Sequence, residues 1–178
     1  GSVSPVNKTS LQLTRGEQVR TMSLDAVIRD PKQNIALQPG DVITSLTLSQ
    51  SFTVLGATNR NEEINFEASG ISLAQALGRV GGLQDNRADP RGVFIFRFED
   101  QEVIGNAGSV ASTAQGKVPV IYRINMKDPA TFFVAQSFPI QNKDVMYVSN
   151  ASSAEFQKFL NIILSATYPI LNIYNATQ

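Results

Sequence analysis

A single well-delimited helix between two groups of strands is the feature that most constrains the fold of this chain. Ser72 and Gln75 have the spacing of a capping box, in which each side chain accepts a hydrogen bond from a backbone amide of the other residue. One face of the helix is apolar, at Leu73, Ala76, Leu77 and Val80. The Gly-Gly pair at 81–82 ends the helix, because glycine takes the left-handed cap conformation without a Cβ penalty. A helix with one apolar face packs on another layer, and the flanking strands would supply a sheet.

Short apolar stretches with strand character predict that sheet. Residues 51–57 and 64–66 form a strand, a polar turn and a return strand before the helix. After it, residues 93–98 and 118–126 form two strands joined by a segment rich in Gly, Ser, Ala and Gln, which we interpret as a flexible hairpin loop over 101–117. A last strand and a short helix before it complete the unit. This order predicts an α+β fold with one helix packed across a mixed sheet, and the β-grasp arrangement is the obvious candidate.

The apolar side chains of these elements define a predicted core. Phe94, Phe96 and Phe98 alternate along one strand and could stack on sugar rings, but such a stripe is more often a core face. We therefore expect one cooperative unit over residues 51–150. Its predicted core comprises Phe52, Val54, Leu73, Leu77, Phe94, Phe96, Ile121 and Val145.

Part of this order of elements occurs twice along the chain. Residues 37–43, Leu-Gln-Pro-Gly-Asp-Val-Ile, correspond to residues 140–146, Ile-Gln-Asn-Lys-Asp-Val-Met. An Asp-Pro pair precedes each of them, at 30–31 and 128–129. Only the second copy follows a complete strand–turn–strand–helix unit. Strand-rich chains produce chance echoes of this kind, but a true repeat is the favoured interpretation.

The repeat divides the chain into four predicted segments. Residues 1–10 are a tag and a disordered lead, since they are polar and begin with Gly-Ser. Residues 11–50 are the C-terminal half of a first domain, and residues 51–150 are a complete second domain. Residues 151–178 form a C-terminal amphipathic helix. Because a half domain leaves a sheet edge unpaired, its strands should pack on other parts of the protein or pair with another chain.

The composition argues against most catalytic and metal chemistry. The 178 residues include no His and no Cys, which removes the usual general base near neutral pH, thiolate nucleophiles and the commonest zinc ligands. Lys plus Arg and Asp plus Glu number 15 each, so the chain has no long-range field that would attract nucleic acid. We expect no enzymatic activity, no cofactor and no metal.

Four segments of the chain resemble one protein family. Residues 71–97, from Ile-Ser-Leu-Ala-Gln to Val-Phe-Ile-Phe-Arg, resemble the second soluble-ligand-binding β-grasp (SLBB) domain of outer-membrane polysaccharide export proteins of the Wza type. Residues 34–43 resemble the end of that family's first such domain. Residues 144–150 and 155–160 resemble its final strand and the start of its last helix.

Two turns depart from the pattern of this family. The family usually carries Pro-Gly in the first hairpin of the domain, where this chain has Asn61-Glu62. The second Pro-Gly-Asp turn is replaced by residues 142–144, Asn-Lys-Asp. Both departures change the chemistry of a turn and put its local shape in question, while the predicted fold stands.

The resemblance implies both a fold and a function. The fold would be an SLBB-type β-grasp domain, preceded by the back half of another and followed by an amphipathic helix. The protein would be one subunit of a ring-shaped translocon that exports capsular or exopolysaccharide across the outer membrane of a Gram-negative bacterium, within a larger, mostly periplasmic lipoprotein. Implied partners are further copies in the ring, the exported polysaccharide, an inner-membrane polysaccharide co-polymerase and outer-membrane lipid. A soluble periplasmic carbohydrate-binding module is the main alternative, and a hydrolase would need two converging carboxylates.

Arg87, Asp89 and Arg91 are the first candidate site. Arginine offers several donors in one plane and aspartate accepts from hydroxyls, so the three residues could contact a sugar or a neighbouring subunit. The competing interpretation is a structural loop, in which Asp89 accepts hydrogen bonds from backbone amides.

The uncharged tail is the second candidate site. Lys158 is the last charged residue, and the stretch after it is too polar for a lone helix in lipid. A ring of such helices would meet lipid outside and water inside, unless the helix simply docks on the domain surface. Pro169 would kink or end the helix. The predicted membrane-facing residues are Phe156, Phe159, Leu160, Ile163, Leu164, Leu171 and Tyr174. The predicted lumen-facing residues are Asn161, Ser165 and Asn172.

Overall fold

The chain forms two compact units in the computed structural model. One comprises residues 1–50 with 65–71, and the other comprises residues 51–64 with 72–178. The structure describes residues 5–47, 49–104, 112–113, 115–150, 158, 161–162 and 170–172.

The first unit contains a small antiparallel sheet. Its elements are, in chain order, a 3-10 turn (Val6–Lys8), β1 (Thr9–Arg15), β2 (Gln18–Ser23), helix α1 (Leu24–Arg29), a 3-10 turn (Pro31–Gln33) and β3 (Val42–Thr47). Strand β1 lies in the middle and pairs with both β2 and β3. Ser23 caps α1 by accepting a hydrogen bond from the Ala26 amide at 3.0 Å. Gly40 has a φ of +91° in the predicted Pro-Gly turn, as glycine readily does.

The remaining elements form a larger mixed sheet with helices. They are β4 (Gln50–Gly56), β5 (Glu63–Phe66), β6 (Ile71–Ser72), α2 (Leu73–Arg79), β7 (Ala88–Asp100), α3 (Gln101–Ile104), β8 (Lys117–Ile124), α4 (Ala130–Ser137), β9 (Pro139–Ile140), β10 (Val145–Asn150) and β11 (Ile170–Asn172). The sheet order is β11-β8-β7-β10-β4-β5, while β6 pairs with β9. Strand β7 is antiparallel to β8 and β10, whereas β10 runs parallel to β4 and β11 parallel to β8. The predicted α+β class is confirmed.

The core of the second unit contains one row of side chains across the four central strands. Val54, Met146, Ile95 and Tyr122 are cross-strand neighbours in that order, and all four are buried. Helix α2 begins with the predicted capping box: the Ser72 amide donates to Gln75 at 2.8 Å and the Gln75 amide donates back at 3.3 Å. Helix α2 buries Leu73, Ala76 and Leu77 and contacts α4.

Most of the predicted core is buried, but the aromatic stripe is not buried to its end. Phe94 is fully buried and Phe96 is half-buried, whereas Phe98 is 60% exposed. The pairing of β7 with β10 extends from Ala88 to Phe96, so at Phe98 the one paired neighbour of β7 among the described strands is β8. The expectation that all three rings belong to the core is therefore wrong at Phe98.

Three further expectations are corrected by the structure. Residues 5–10, predicted as part of a disordered lead, include a 3-10 turn and the first residues of β1, and Thr9 and Ser10 are buried in the sheet. The segment predicted as a loop over 101–117 begins with the helical turn α3. Leu171 and Asn172, predicted on a helix, lie in strand β11, which pairs with β8. Pro169 explains the change, because proline has no N–H to donate and cannot continue a helix.

The rest of the predicted tail helix is described at only three residues. Lys158, Asn161 and Ile162 are helical and exposed. The other tail residues predicted to face lipid or lumen lie outside the described residues, namely Phe156, Phe159, Leu160, Ile163, Leu164, Ser165 and Tyr174. Among the described residues, no helix combines the length and the apolar character needed to cross a membrane.

Candidate functional site

Asp89 and Arg91 lie at the start of β7, and Arg87 immediately precedes it. Each of the three makes hydrogen bonds within the chain. The carboxylate of Asp89 is buried and accepts from the Arg91 amide at 2.9 Å and from the Arg91 guanidinium at 3.0 and 2.8 Å. The hydrogen bond from Arg91 lowers the pKa of Asp89. Arg87 donates to the carbonyl of Gly56 at 3.2 Å. Asp89 therefore holds a local turn, and a contact with ligand or subunit stays a prediction for these residues.

A buried ion pair that the sequence reasoning missed joins β7 to the start of β10. Arg97 donates to both carboxylate oxygens of Asp144, at 2.9 and 2.7 Å, and to the carbonyl of Pro139 at 2.8 Å. Asp144 also accepts from the Gln141 amide at 2.9 Å, which closes the Gln-Asn-Lys-Asp turn. The Arg97 side chain is 5% exposed and that of Asp144 is 1% exposed.

Aromatic and acidic groups enclose the Arg97 guanidinium. Its carbon lies 5.2 Å from the ring centroid of Tyr122 and 5.1 Å from that of Phe138. Glu99 accepts from Arg97 at 3.2 Å and from the Tyr122 hydroxyl at 2.7 Å. Burial raises the pKa of Tyr122, and the hydrogen bond to Glu99 adds to it. Burial also raises the pKa of Asp144, although the hydrogen bonds from Arg97 oppose this. This network is structural, since each charge in it is paired within the protein.

The first unit contains the same arrangement, at Arg15 and Asp41. Arg15 donates to both carboxylate oxygens of Asp41, at 2.8 and 2.7 Å, and to the carbonyl of Ala36 at 3.0 Å. Asp41 accepts from the Gln38 amide at 2.8 Å. In both units the carbonyl belongs to the fifth residue before the aspartate, and the amide belongs to the third. The hydrogen bond from Arg15 lowers the pKa of Asp41 to about 2.

The strand registers extend this equivalence. Val42 and Ile43 pair with Thr14 and Leu13 of β1. Val145 and Met146 occupy the same places after their aspartate and pair with Phe96 and Ile95 of β7. Strands β1, β2 and β3 thus correspond to β7, β8 and β10, and the structure supports the internal repeat.

The two turns of the repeat differ in sequence but agree in backbone conformation. Gly40 has a φ of +91° and Lys143 has a φ of +71°, which is the one positive φ among the described non-glycine residues. The hydrogen bond that Asp144 accepts across its turn helps to hold a lysine in a conformation that favours glycine. The departure from Pro-Gly-Asp therefore leaves the shape of this turn intact.

The first unit contains an apolar groove of about 100 Å³. The groove lies on the face of β3 that corresponds to the buried face of β10 in the second unit. Leu37 is 61% exposed and Ile43 is 49% exposed, while Met146, the counterpart of Ile43, is fully buried. Strand β3 has β1 as its neighbour in the sheet of the first unit, whereas its counterpart β10 also pairs with β4. The groove is lined by Leu11, Leu13, Met22, Val27, Asn34, Ile35, Leu37 and Ile43.

The second unit contains a cleft of about 550 Å³, which we call the α2–α4 cleft. Its volume lies in the usual range of small-ligand sites, about 300–1,000 Å³. Its walls are supplied by the turn after β4, helix α2 with the loop after it, the start of β7, the turn after β8, and α4. They contribute Asn59, Ala74, Leu77, Gly78, Gly81, Gly82, Leu83, Asp85, Pro90, Met126, Phe132 and Ala135.

Backbone geometry holds the loop that borders this cleft. Gly81 and Gly82 have φ values of +78° and +77°, and their amides donate to the Gly78 and Leu77 carbonyls at 3.1 and 2.9 Å. The side-chain amide of Asn59 donates to the Gly81 carbonyl at 2.6 Å. A Cβ on Gly81 would come within 3.2 Å of the Asn59 Cβ, so glycine permits this close approach. The loop is therefore fixed before any ligand arrives.

The cleft offers binding groups and no recognisable catalytic set. Asp85 is the one ionisable residue among the described residues that line it, and Phe132 is 52% exposed beside mostly apolar neighbours. Among the residues that the structure describes, no group of three or more acidic side chains could hold a metal ion. Sequence reasoning missed this site, because its residues come from five separate segments.

The β-grasp sheet, the helix across it and the repeated turn define the class of protein. The SLBB domain family matches residues 50–148, which contain the sheet from β4 to β10 and both cleft helices. Similarity to individual proteins then identifies the family within this class. The chain is 46% identical over 183 residues to the capsule polysaccharide export protein BexD of Haemophilus influenzae, covering 100% of this chain and 46% of that protein. The chain belongs to the polysaccharide export protein family.

Two further relatives agree with this assignment. The capsule polysaccharide export outer membrane protein CtrA of Neisseria meningitidis is 46% identical over 175 residues, covering 93% of this chain and 44% of that protein. The Vi polysaccharide export protein VexA/TviF of Salmonella typhi is 32% identical over 148 residues, covering 83% of this chain and 39% of that protein. The chain thus spans less than half the length of the curated relatives that it matches.

Proposed function

We propose that this chain forms part of a subunit of an outer-membrane translocon that exports capsular or exopolysaccharide. The observation that carries the proposal is 46% identity to a capsule polysaccharide export protein along the whole chain. The role is non-enzymatic in this proposal, because the chain lacks His and Cys and its cleft contains a single carboxylate. Incubation with polysaccharides should then release no reducing ends.

A chimera tests the export role directly. The matching region of the Haemophilus influenzae relative would be replaced by this chain, and surface capsule would be measured in a strain that lacks its own copy. We expect capsule at the cell surface. A chimera that folds and reaches the outer membrane but leaves the polysaccharide inside the cell would contradict the proposal. The same strain carrying the relative's own region is the control.

The subunits form a ring by lateral association in this proposal. Support comes from apolar side chains exposed on the second unit: Phe133 is 76% exposed, Phe98 is 60% exposed and Leu55 is 46% exposed. Arg87 and Arg91, with Asp89 positioning Arg91, would contact the neighbouring subunit. The inner-membrane co-polymerase and outer-membrane lipid are further partners. Mass measurement of the full-length protein in detergent should give a closed oligomer, and a strictly monomeric protein would contradict the ring.

The first unit is the C-terminal half of a first SLBB domain in this proposal. Its repeated Arg–Asp pair, its matching registers and its open apolar groove support that assignment. A strand running parallel to β3 and a helix across the groove would complete it, as β4 and α2 do in the second unit. The full-length protein should therefore protect the β3 amides from hydrogen exchange more strongly than the 178-residue chain does.

The uncharged tail is a membrane-contacting segment in this proposal. Support comes from the sequence after Lys158, which mixes short apolar runs with Asn161, Asn172 and Asn175 and has no charged side chain. Ile163→Glu should abolish export while the second unit remains folded, because a charge in lipid is costly. Asn161→Glu, at a predicted lumen position, is the matched control and should be tolerated. Normal export by Ile163→Glu would assign the tail to packing alone.

A soluble periplasmic carbohydrate-binding module is the second candidate function, and the preformed α2–α4 cleft favours it. Such a module would bind glycan as a monomer without detergent. Failure of the chimera together with glycan binding by the isolated chain would support this alternative.

A further inference from the structure

We infer that a pocket in the first unit, which we call the Arg15–Arg20 pocket, binds the carboxylate of an acidic side chain from the segment that completes the first SLBB domain. The inference rests on the proposed function, in which this chain contains only the back half of that domain. The pocket has a volume of about 90 Å³. That volume holds about three water molecules, at roughly 30 Å³ each, so a terminal carboxylate fits. The described residues that line it are Leu13, Arg15, Gln18, Arg20 and Ile35.

The internal repeat identifies the counterpart of this pocket in the second unit. Arg20 occupies the place of Tyr122, because each pairs with the strand residue two positions before the arginine of the ion pair. Ile35 occupies the place of Phe138, because each precedes the residue whose carbonyl accepts a hydrogen bond from that arginine. The Arg15–Arg20 pocket therefore corresponds to the enclosure around the Arg97 guanidinium.

The arginines of the two ion pairs share three hydrogen bonds and differ in a fourth. Nη1 of Arg97 donates to Glu99 at 3.2 Å. Arg15 uses Nε and Nη2 to donate to Asp41 and to the Ala36 carbonyl, and its Nη1 has no acceptor among the described residues. The position that a glutamate fills in the second unit is therefore open in the first.

A glutamate follows each arginine at the same interval, but only one of the two turns back to it. Glu99 remains beside Arg97 because β7 extends past both residues. Strand β1 ends at Arg15, and Glu17 lies exposed in the two-residue turn to β2. Glu17 makes no hydrogen bond or ion pair within the described part of the chain. No described carboxylate therefore replaces Glu99 in the first unit.

The balance of charge in the pocket favours an anion. In the second unit two carboxylates surround one arginine. In the first unit two arginines line the pocket, and Asp41 is the one carboxylate paired with them among the described residues. The side chains of Arg20 and Gln18 are exposed and have no hydrogen-bond partner in the described ranges. An incoming carboxylate would accept from these two side chains and from Nη1 of Arg15.

The neighbouring apolar groove indicates the source of the carboxylate. Leu13 and Ile35 line both the pocket and the groove, so one covering element would reach the two together. In the proposed first domain that element is a helix outside the 178 residues, in the place that α2 takes in the second unit. The covering helix should therefore carry an acidic residue next to its apolar face.

Acetate titration of the 15N-labelled 178-residue chain tests the pocket itself. The Nε–H signals of Arg15 and Arg20 should shift saturably with sodium acetate and should stay in place with sodium chloride at the same concentration. Arg20→Gln should weaken acetate binding, measured at Arg15, about tenfold, because the carboxylate loses a charged donor. Arg29→Gln is the matched control, since Arg29 is exposed and does not line the pocket. The same response to acetate and chloride, or an equal loss in both variants, would overturn the inference.

Hydrogen exchange in the full-length protein tests the source of the carboxylate. Arg20→Gln should raise the exchange rates of the β1 and β2 amides about tenfold there, because the covering segment loses a contact. The same substitution should change these rates less than about twofold in the 178-residue chain, where the covering segment is missing. Arg29→Gln should have no effect in either protein. Equal effects of Arg20→Gln in the two proteins, or no effect in the full-length protein, would contradict the inference.

Two other sources of a carboxylate are read from the same experiment. If the effect of Arg20→Gln disappears when the full-length oligomer is dissociated, a second copy supplies the carboxylate and the inference fails. If hexagalacturonate protects the β2 amides of the full-length protein, the pocket is open to anionic glycan and the inference fails as well. Added protection of β3 in the full-length protein without an effect of Arg20→Gln would contradict this inference alone. No added protection of β3 would contradict the proposed half domain.

Discussion

Arg97 and Arg15 make the same three hydrogen bonds in different surroundings. The Arg97 side chain is 5% exposed, between Tyr122 and Phe138, and that of Arg15 is 37% exposed. Burial removes the water that would otherwise solvate each charge. Loss of one partner should therefore destabilise the second unit more than the first. The two pairs should therefore respond differently to the same substitution.

Arg97→Ala should lower the free energy of unfolding of the second unit by about 3–5 kcal/mol, because it leaves Asp144 charged, buried and unpaired. Urea unfolding followed by NMR signals of each unit would measure the loss. Arg15→Ala is the matched control and should have a clearly smaller effect on the first unit, where water reaches the pair. A similar loss in the two variants would show that burial does not distinguish them.

The pKa values of Asp41 and Asp144 should differ from the ordinary aspartate value in opposite directions. Carboxyl NMR titration should give a pKa of about 2 for Asp41, and Arg15→Ala should raise it toward the ordinary value. Because the folded value lies below the unfolded one, this ion pair stabilises the protein above pH ~4, and the contribution disappears as pH falls toward 2. Asp144 should instead titrate above its ordinary value, owing to burial. A pKa near 4 for Asp41 in the intact protein would contradict the bidentate bond.

At the scale of elements, the packing of helix α2 in the core can be tested by a single substitution. Leu77 is 7% exposed and belongs to its buried face. Leu77→Ala should lower the free energy of unfolding by about 2–5 kcal/mol, as large-to-small changes in cores do. Phe133→Ala, on the exposed side of α4, should cost much less. A loss below about half a kcal/mol for Leu77→Ala would mean that α2 is not packed on the sheet.

The elements that the sequence predicts well are those with local signals. Helix α2 has its capping box and glycine end within a dozen residues, and both form as expected. The exposed end of β7 at Phe98 and the strand at Leu171 depend on where partner strands stop or become available. These partner strands are distant in sequence, and the residue pattern of one strand does not show where its partner strand ends.

The candidate site was harder to predict than the fold for the same reason. Arg97 and Asp144 are 47 residues apart, and each alone is an ordinary charged residue in a strand or turn. Asp85 and Phe132 meet at the cleft only because α2 packs beside α4. The internal repeat is the sequence signal that could have indicated the ion pair, because an aspartate at the same place in two equivalent turns suggests the same kind of partner.

At the scale of the whole molecule, the two units should differ in the cooperativity of their sheets. Strand β3 borders an open groove, whereas β10 is enclosed between β7 and β4. In the 178-residue chain, the amides of β3 should exchange with solvent much faster than those of β10, since β3 has one neighbouring strand among the described elements and β10 has two. Hydrogen-exchange mass spectrometry would measure the difference. Equal protection would indicate that something already covers the β3 edge.

The repeated Arg–Asp pair also indicates where the chain can accept an insertion. The arginine and aspartate are 26 residues apart in the first unit and 47 apart in the second, yet their hydrogen bonds are the same. The pair fixes the two ends of the intervening segment, and the entropy cost of a longer loop rises only slowly with its length. An inserted reporter peptide should therefore be tolerated between β7 and β8 at little cost to the sheet.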